Sequence, residues 1–499
     1  MFSLPIHFGY FCYTQKLLQA ISELYESWKG IKPKLVEVLP QSGSERRYFR
    51  VHQSDGTTLI GTHGANSKEN EAFIYFSKKF KSQNFPVATI HKVSSDGLFY
   101  LQEDFGDNSL LYLLEKEEAT SNIYALFKKS LEELANLQVN GDKELDYTRC
   151  LTNQEFGKQA IMADLLYFKY YFLDALRKPY DKQKLIADFE LLSQFLSKTE
   201  YHFFMFRDFQ SRNIMVQKDN SIHFIDYQGG MKGAPQYDVA SLLWQAKAHL
   251  SNEWKENLLE DYMNALELQI SKKLDRTSFR NQYKGFVLIR LLQVLGAYGF
   301  RGLFERKAHF LTSIPTALKN LNEFLGQNDL NIEIPEFQKV LAICTSDETI
   351  QQFSPRIATD QTPLVINITS FAYKNGIPTD NSGNGGGFVF DCRGILNPGR
   401  LEEFKILTGR DNTVKSFLEQ QTKMITFLNS VFDTVDITVE EYLDRNFQNL
   451  AINFGCTGGQ HRSVYAADAL ARHLKNKFNV KIILHHREQN IVEKKGIKK

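Results

Sequence analysis

The sequence predicts an α+β bilobal fold followed by a smaller α/β domain, and three observations predict it. A charged loop, Arg207 to Asn213, runs into a short apolar hairpin that ends at Asp226. Helical patterns dominate 107–200 and 252–325, on either side of that loop, while strand patterns such as Thr57 to His63 precede it. Far downstream, the apolar run Leu450 to Phe454 enters Gly455-Cys456-Thr457-Gly458-Gly459-Gln460-His461-Arg462-Ser463, and a helical pattern follows from Val464 to Leu474. A chain of 499 residues with 42% hydrophobic content supports two or three domains, each with its own core.

In chain order, residues 1–105 form an N-terminal helix and a small strand-rich lobe. Ser42-Gly43-Ser44 lies between two expected strands and reads either as a loop folding over phosphates or as an ordinary hairpin turn. Residues 106–335 form a larger helical lobe, with Leu110 to Leu114 and Tyr124 to Leu131 as clear helical stretches and Gly302, Pro315 and Gly326 as punctuation. Residues 336–360 carry no glycine and include a helical pattern, so they form a packed connector. The α/β domain occupies 361–492, and 493–499 is a basic tail.

The loop and hairpin carry the spacing of a kinase catalytic loop. Phosphoryl transfer needs one carboxylate at the acceptor hydroxyl, and an amide with a second carboxylate to hold Mg²⁺ against nucleotide phosphates. Four residues separate Asp208 from Asn213, and twelve separate Asn213 from Asp226. Ile214-Met215-Val216 and Ile222-His223-Phe224-Ile225 flank Lys218-Asp219-Asn220-Ser221, so a hairpin returns Asp226 to Asn213.

Through FRDFQSRNIM and HFIDYQGGMKGAPQYDVASLL the chain resembles the aminoglycoside phosphotransferase and choline kinase superfamily over residues 30–330. Ser44 to Arg50 and the Ile225-Asp226-Tyr227-Gln228 string look most like bacterial cell-wall sugar kinases, which phosphorylate N-acetylmuramate or N-acetylglucosamine. The resemblance implies a protein-kinase-like bilobal fold using ATP and Mg²⁺, with Asp208 as catalytic base and Asn213 and Asp226 as metal ligands. Asp238 would brace the catalytic loop. Ser42, Gly43 and Ser44 would cover the phosphates, and Glu103 would lie at the hinge where backbone groups receive adenine. Two departures stand out. Phe206 replaces the histidine of the H-R-D triplet, and the strand Thr57 to His63 carries no lysine for the α- and β-phosphates. Lys68 follows in a loop, and Glu69 or Glu71 is the candidate helix partner.

Strand, glycine turn and helix in the downstream segment form a phosphate cradle, because glycine admits close backbone approach and a helix N-terminus offers free N–H groups. His461 and Arg462 add donors for an anion. With Thr369 to Pro378, Phe388 to Arg393, Asn397-Pro398 and Leu407-Thr408-Gly409, this region resembles the C-terminal domain of RapZ, the RNase adapter family. The resemblance implies binding of an amino-sugar phosphate by Asp391, Arg393, Cys456, Thr457, Gly458, Gly459, His461 and Arg462, and adapters of this kind also bind small RNA. Gly399 stands where the adapter has a ligand-contacting histidine. A cysteine, five residues and an arginine also make the frame of a cysteine phosphatase loop, although Gly455 replaces the histidine that normally precedes it.

A net charge of +2 excludes a generally basic nucleic-acid protein. It leaves a local basic surface near Lys475, Lys477, Lys481, His485, His486 and Arg487 as the feature RNA would use. Five dispersed cysteines with no C-x-x-C spacing indicate neither a disulfide framework nor a zinc site. With no basic leader and no run of about 18 apolar residues, the expectation is a cytoplasmic protein with no membrane partner. The leading expectation is therefore a kinase for a cell-wall amino sugar with an amino-sugar-phosphate domain. The alternative is a regulatory RNA adapter and metabolite sensor with a catalytically dead kinase-like module.

Overall fold

The computed structural model describes residues 8–40, 46–117, 119–305, 308–354, 357–380, 382–383 and 386–497. The chain divides into two compact units, the first spanning Gln15–Glu305 with Ser313–Gln352 and the second built on Phe353–Lys499.

The first unit begins with helix α1 (Phe8–Lys29) and strands β1 (Leu35–Val38), β2 (Arg47–His52) and β3 (Thr58–His63). Helix α2 (Ser67–Ser82) then leads to β4 (Ile90–Val93) and β5 (Phe99–Glu103). These five strands form an antiparallel sheet in the order β1-β2-β3-β5-β4. Side chains alternate across a strand, so Phe49, Val51 and Leu59 face one side, where they pack on Leu17, Ile21, Leu24 and Tyr25 of α1. Gly61 belongs to that face as well, because a Cβ there would meet Ile21 at 2.7 Å. The other face carries Tyr48, Arg50, Ile60 and Thr62 and looks toward α2 and the larger lobe.

The larger lobe is mostly helical. It contains α3 (Leu110–Glu117), α4 (Ser121–Gly141), α5 (Lys158–Phe168) and α6 (Lys182–Leu196), then the short strands β6 (Phe203–Met205), β7 (Ile214–Val216), β8 (Ile222–Phe224) and β9 (Met231–Gly233). Helices α7 (Gln236–Leu243), α8 (Asn252–Ile270), α9 (Arg276–Gly299), α10 (Ala308–Leu311), α11 (Ile314–Gln327), α12 (Pro335–Cys344) and α13 (Asp347–Phe353) follow. The connector is packed: Phe337 stacks edge-on against Phe189 of α6, and its N–H donates to Asp188. Arg276–Phe304 is long and apolar enough to cross a membrane, yet it is mostly buried within the lobe and serves as its core helix.

An aromatic cluster fixes α2 against the larger lobe. Phe76 and Phe80 are fully buried and meet Phe204 of β6 edge-on, Phe73 stacks on Tyr227, and Ser77 hydrogen-bonds the Tyr227 hydroxyl at 2.6 Å. The sequence places these phenylalanines at helical spacing on one face of α2, which is why the helix runs well beyond Glu69 to Phe76.

In the second unit β10 (Val365–Ala372) is the central strand of a mixed sheet. β11 (Phe388–Asp391) precedes helices α14 (Asn412–Gln421) and α15 (Met424–Asp444). β12 (Asn449–Cys456), α16 (Arg462–Phe478), β13 (Lys481–His486) and β14 (Ile491–Lys495) complete the order β11-β12-β10-β13-β14. β10 to β13 are mutually parallel where they pair, and β14 closes the edge antiparallel. The chain adds β11 and β12 on one side of β10 and then crosses by α16 to the other. That reversal makes the C-terminal ends of β10 and β12 the crevice of the sheet.

Phe80→Ala removes a fully buried ring that joins α2 to the larger lobe. We expect a loss of about 3–5 kcal/mol in urea unfolding of the full chain.

Candidate functional site

The catalytic loop is held by one buried carboxylate. Asp238, on the first turn of α7 and fully buried, accepts hydrogen bonds from the Phe206 N–H (2.7 Å), the Arg207 N–H (2.9 Å) and Gln138 Nε2 (2.9 Å). Arg207 has φ +79°, a left-handed conformation that costs a non-glycine residue about 1–3 kcal/mol. It is secured by Nη2, which donates to both carboxylate oxygens of Asp164 at 2.7 and 2.8 Å, and by lying over the rings of Phe156 and Tyr237. Burial pushes the Asp238 pKa up to about 7, against the pull of its donors.

Beyond this brace the chain makes one 3₁₀ turn, Ser211–Asn213, and enters the hairpin of β7 and β8. The hairpin closes on Asp219, whose side chain accepts from the Ser221 N–H at 2.9 Å, with Asn220 at φ +60°. Ile214 pairs with Phe224, and the Ile225 N–H donates to the Asn213 carbonyl at 3.0 Å. Asp226 is thus returned to Asn213, whose Nδ2 reaches Asp226 Oδ2 at 3.3 Å and the Asp208 carbonyl at 2.9 Å. Both bonds use the amide nitrogen and leave Oδ1 of Asn213 for a cation. Asp226 also sits at φ +71° and accepts from Gln228 Nε2 at 2.9 Å. Two hard oxygen donors on adjacent elements, with waters and phosphate oxygens completing the shell, fit a small divalent cation. Among the described residues no group of three or more acidic, histidine or cysteine side chains gathers elsewhere as a metal site.

Asp208 is half-exposed at the loop tip, and its Oδ1 lies 3.2 Å from Nη2 of Arg290, a buried residue of α9. Sequence reading missed Arg290, since nothing in its apolar surroundings marks one arginine as turned inward. Asp164 was missed for the same reason.

At the exit from β5, Arg50 clamps both Asp104 (2.7 Å) and Asp107 (2.8 Å). Ala88, Phe105 and Met215 form a small buried apolar cluster there, with Ile225 against it. Glu103 ends β5 at this exit. Its carboxylate accepts from the Thr89 N–H and hydroxyl and from Lys81, and its own N–H donates to the Thr89 carbonyl at 3.0 Å. These bonds make it a brace between β4 and β5. Ser42, Gly43 and Ser44 lie outside the described residues.

In the second unit the loop between β12 and α16 spans the crevice described above. Thr457 and Gly458 are exposed, whereas Gly459, at φ +65°, is buried so tightly that a Cβ would meet the Ala372 nitrogen at 3.0 Å and Glu488 at 2.3 Å. Cys456 is buried, its sulfur accepting from the Gly459 N–H and pairing with the Ser463 hydroxyl, both at 3.1 Å.

The two expected donors already have partners within the chain. His461 is buried, with Nε2 2.8 Å from the Phe404 carbonyl. Arg462 is buried too, its Nη1 donating to the carbonyls of Arg393 (3.1 Å) and Ile395 (2.8 Å) and its Nη2 to Thr457 Oγ1 (3.2 Å). Both side chains tie the loop to neighbouring turns, while Nε of Arg462 is buried without a hydrogen-bond partner. The cation left at the rim is Arg393, ion-paired with Asp391 at 2.6 Å and lying 3.9 Å over the Tyr373 ring. The local basic surface is likewise largely engaged. Lys477 pairs with Asp436 and Glu440, Lys481 donates to the carbonyls of Asp360 and Thr362, Arg487 to those of Ala372 and Gly376, and His486 is fully buried.

Fold and loop geometry together define a kinase-type phosphotransferase domain followed by a separate α/β domain with a glycine loop. Residues 36–278 match the phosphotransferase enzyme family, and residues 364–490 match the RapZ C-terminal domain. The chain joins a domain of the first family to a domain of the second. Nucleotide-binding proteins from Xylella fastidiosa (strain M12) and Fervidobacterium nodosum are 36% identical over 151 residues and 30% identical over 194 residues. Those matches cover 29% and 37% of this chain, and 50% and 66% of the relatives. The chain thus spans about half the length of the first of these curated relatives. Among solved structures, an amicoumacin kinase in complex with AMP-PNP and Ca²⁺ is 12% identical with a TM-score of 0.46, covering 65% of this chain and 99% of that one. A choline kinase from Streptococcus pneumoniae is 13% identical with a TM-score of 0.44, covering 63% and 99%.

The Asp238 brace predicts a pH dependence. Its folded pKa is raised from 3.8 to about 7, so the folded state holds a proton that the unfolded state has released. The stabilisation linked to this proton is complete below the unfolded value and is lost as pH rises through about 7. Urea midpoints measured from pH 4 to 8 should fall more steeply with pH for the wild type than for Asp238→Asn.

Proposed function

We propose that the chain is an ATP- and Mg²⁺-dependent small-molecule phosphotransferase, acting in the cytoplasm on a cell-wall amino sugar of the N-acetylglucosamine or N-acetylmuramate type. The observation that carries this reading is the convergence of Asp208, Asn213 and Asp226 on one braced loop and hairpin. ATP with Mg²⁺ would supply the transferable phosphoryl group. Asp208 would take the acceptor hydroxyl proton, and Asn213 and Asp226 would hold the cation. The apolar cluster of Ala88, Phe105 and Met215 offers a dry slot of the kind an adenine ring needs. The amino-sugar assignment rests on the sequence resemblance of Ser44 to Arg50 and Ile225 to Gln228.

The second unit, in this reading, binds an amino-sugar phosphate at the exposed Thr457 and Gly458 and at Arg393. One observation favours the alternative of a dead kinase-like module within an RNA adapter: β3 carries no lysine. Turnover of ATP with any acceptor excludes that alternative.

Asp208→Asn is expected to lower turnover by about 10²–10⁴-fold while ATP affinity holds, and Asp226→Asn to weaken ATP affinity in the presence of Mg²⁺. Coupled-enzyme assays across N-acetylglucosamine, N-acetylmuramate, glucosamine and choline, with calorimetric ATP titrations, check both. Unchanged turnover in Asp208→Asn would remove the assigned base. For the second unit, Arg393→Ala should weaken glucosamine-6-phosphate binding about tenfold, the loss of one charge-assisted contact, without altering kinase turnover. Equal calorimetric affinity in the variant would rule out a phosphate contact by Arg393.

A further inference from the structure

The cation missing from β3 has a counterpart one strand away. On the cleft-facing side of β3 stand Ile60 and Thr62, neither of them charged. Thr62 is fully buried, accepts a hydrogen bond from Gln102 at 3.2 Å, and lies opposite Tyr48 of β2. Alternation along β2 puts Tyr48 and Arg50 on this same side, and Arg46, two residues before Tyr48, follows them. Arg46 is 4% exposed, lies over the Phe73 ring of α2 and places Nε 3.4 Å from Oε1 of Glu69 in the first turn of α2. Glu69 Oε1 also accepts from Gln228 Nε2 at 3.3 Å, and that same nitrogen donates to Asp226 Oδ1. A strand cation, a helix glutamate and the metal-side aspartate are therefore linked in one chain of contacts.

Nη2 of this guanidinium is buried without a hydrogen-bond partner, and Nε, which faces Glu69 at 3.4 Å, lies outside hydrogen-bond geometry. Such donors are costly to leave unmade and are well suited to phosphate oxygens.

We propose that Arg46 is the nucleotide-phosphate cation of this phosphotransferase, supplied from the start of β2 in place of a β3 lysine, with Glu69 as its positioning residue. The inference rests on the phosphotransferase reading and extends it to a binding residue. It also assigns the helix partner: Glu69 makes the ion pair, while Glu71 lies on the opposite side of the helix, lining a cavity of about 520 Å³ with Ile74, Tyr75 and Lys78.

The test is equilibrium binding of ATP, ADP and adenosine to the full chain with Mg²⁺, by calorimetry. Arg46→Met should weaken ATP and ADP by about 10- to 100-fold and leave adenosine affinity unchanged, whereas Arg46→Lys should retain most of the ATP affinity. Unchanged ATP affinity in Arg46→Met, or a parallel loss for ATP and adenosine, overturns the proposal, as does Arg46→Lys falling as far as Arg46→Met. Should Arg46→Met fail to fold, Glu69→Gln decides, with selective loss of ATP over adenosine expected and no selectivity overturning the assignment. Wild-type protein that binds neither ATP nor adenosine refutes the phosphotransferase reading itself, a result distinct from each of these.

Discussion

The loop that carries Asp208 depends on the carboxylate of Asp238. Two consecutive backbone N–H groups, of Phe206 and Arg207, converge on it, and Arg207 itself then turns into the left-handed region. A residue there without compensation would relax, taking Asp208 with it. Here the compensation comes from three sides: Asp164 grips the guanidinium, aromatic rings of Phe156 and Tyr237 cover it, and Gln138 of α4 fixes the carboxylate. The helical lobe is thus arranged around a loop whose strain it absorbs.

A similar economy governs the second unit. Its glycine loop owes its shape to Gly459, which no other residue could replace without displacing the Ala372 backbone, and to Arg462, whose donors stitch the loop to the turn after β11. An arginine beside a glycine turn invites an anion reading, because sequence shows charge and not direction. Buried carbonyls at Arg393 and Ile395 needed donors as much as any phosphate would, and they are where the guanidinium points.

Much of the first unit was legible because its signals are local. The hairpin between Asn213 and Asp226 follows from β-formers around a polar turn, and the bracing role of Asp238 was what the family resemblance of its segment implied. The α/β order of the second unit was equally plain in its strand, glycine turn and helix. What escaped were side chains whose partners are distant in sequence. Arg290 meets Asp208 across 82 positions, and Arg207 meets Asp164 across 43. The partners of the Glu103 carboxylate escaped for the same reason, since Thr89 and Lys81 reach it from the segment before β4 and from α2.

The pair of arginines on the cleft side of β2 has a mechanical consequence. Arg50 is bolted to Asp104 and Asp107 at the exit from β5, and Arg46 lies four residues earlier, just before β2 begins. Arg46 reaches Glu69 of α2, and α2 is packed through Phe76 and Phe80 against Phe204 of the larger lobe, so the guanidinium is tied to that lobe as well as to its own sheet. One side chain thereby keeps the two walls of the cleft in register.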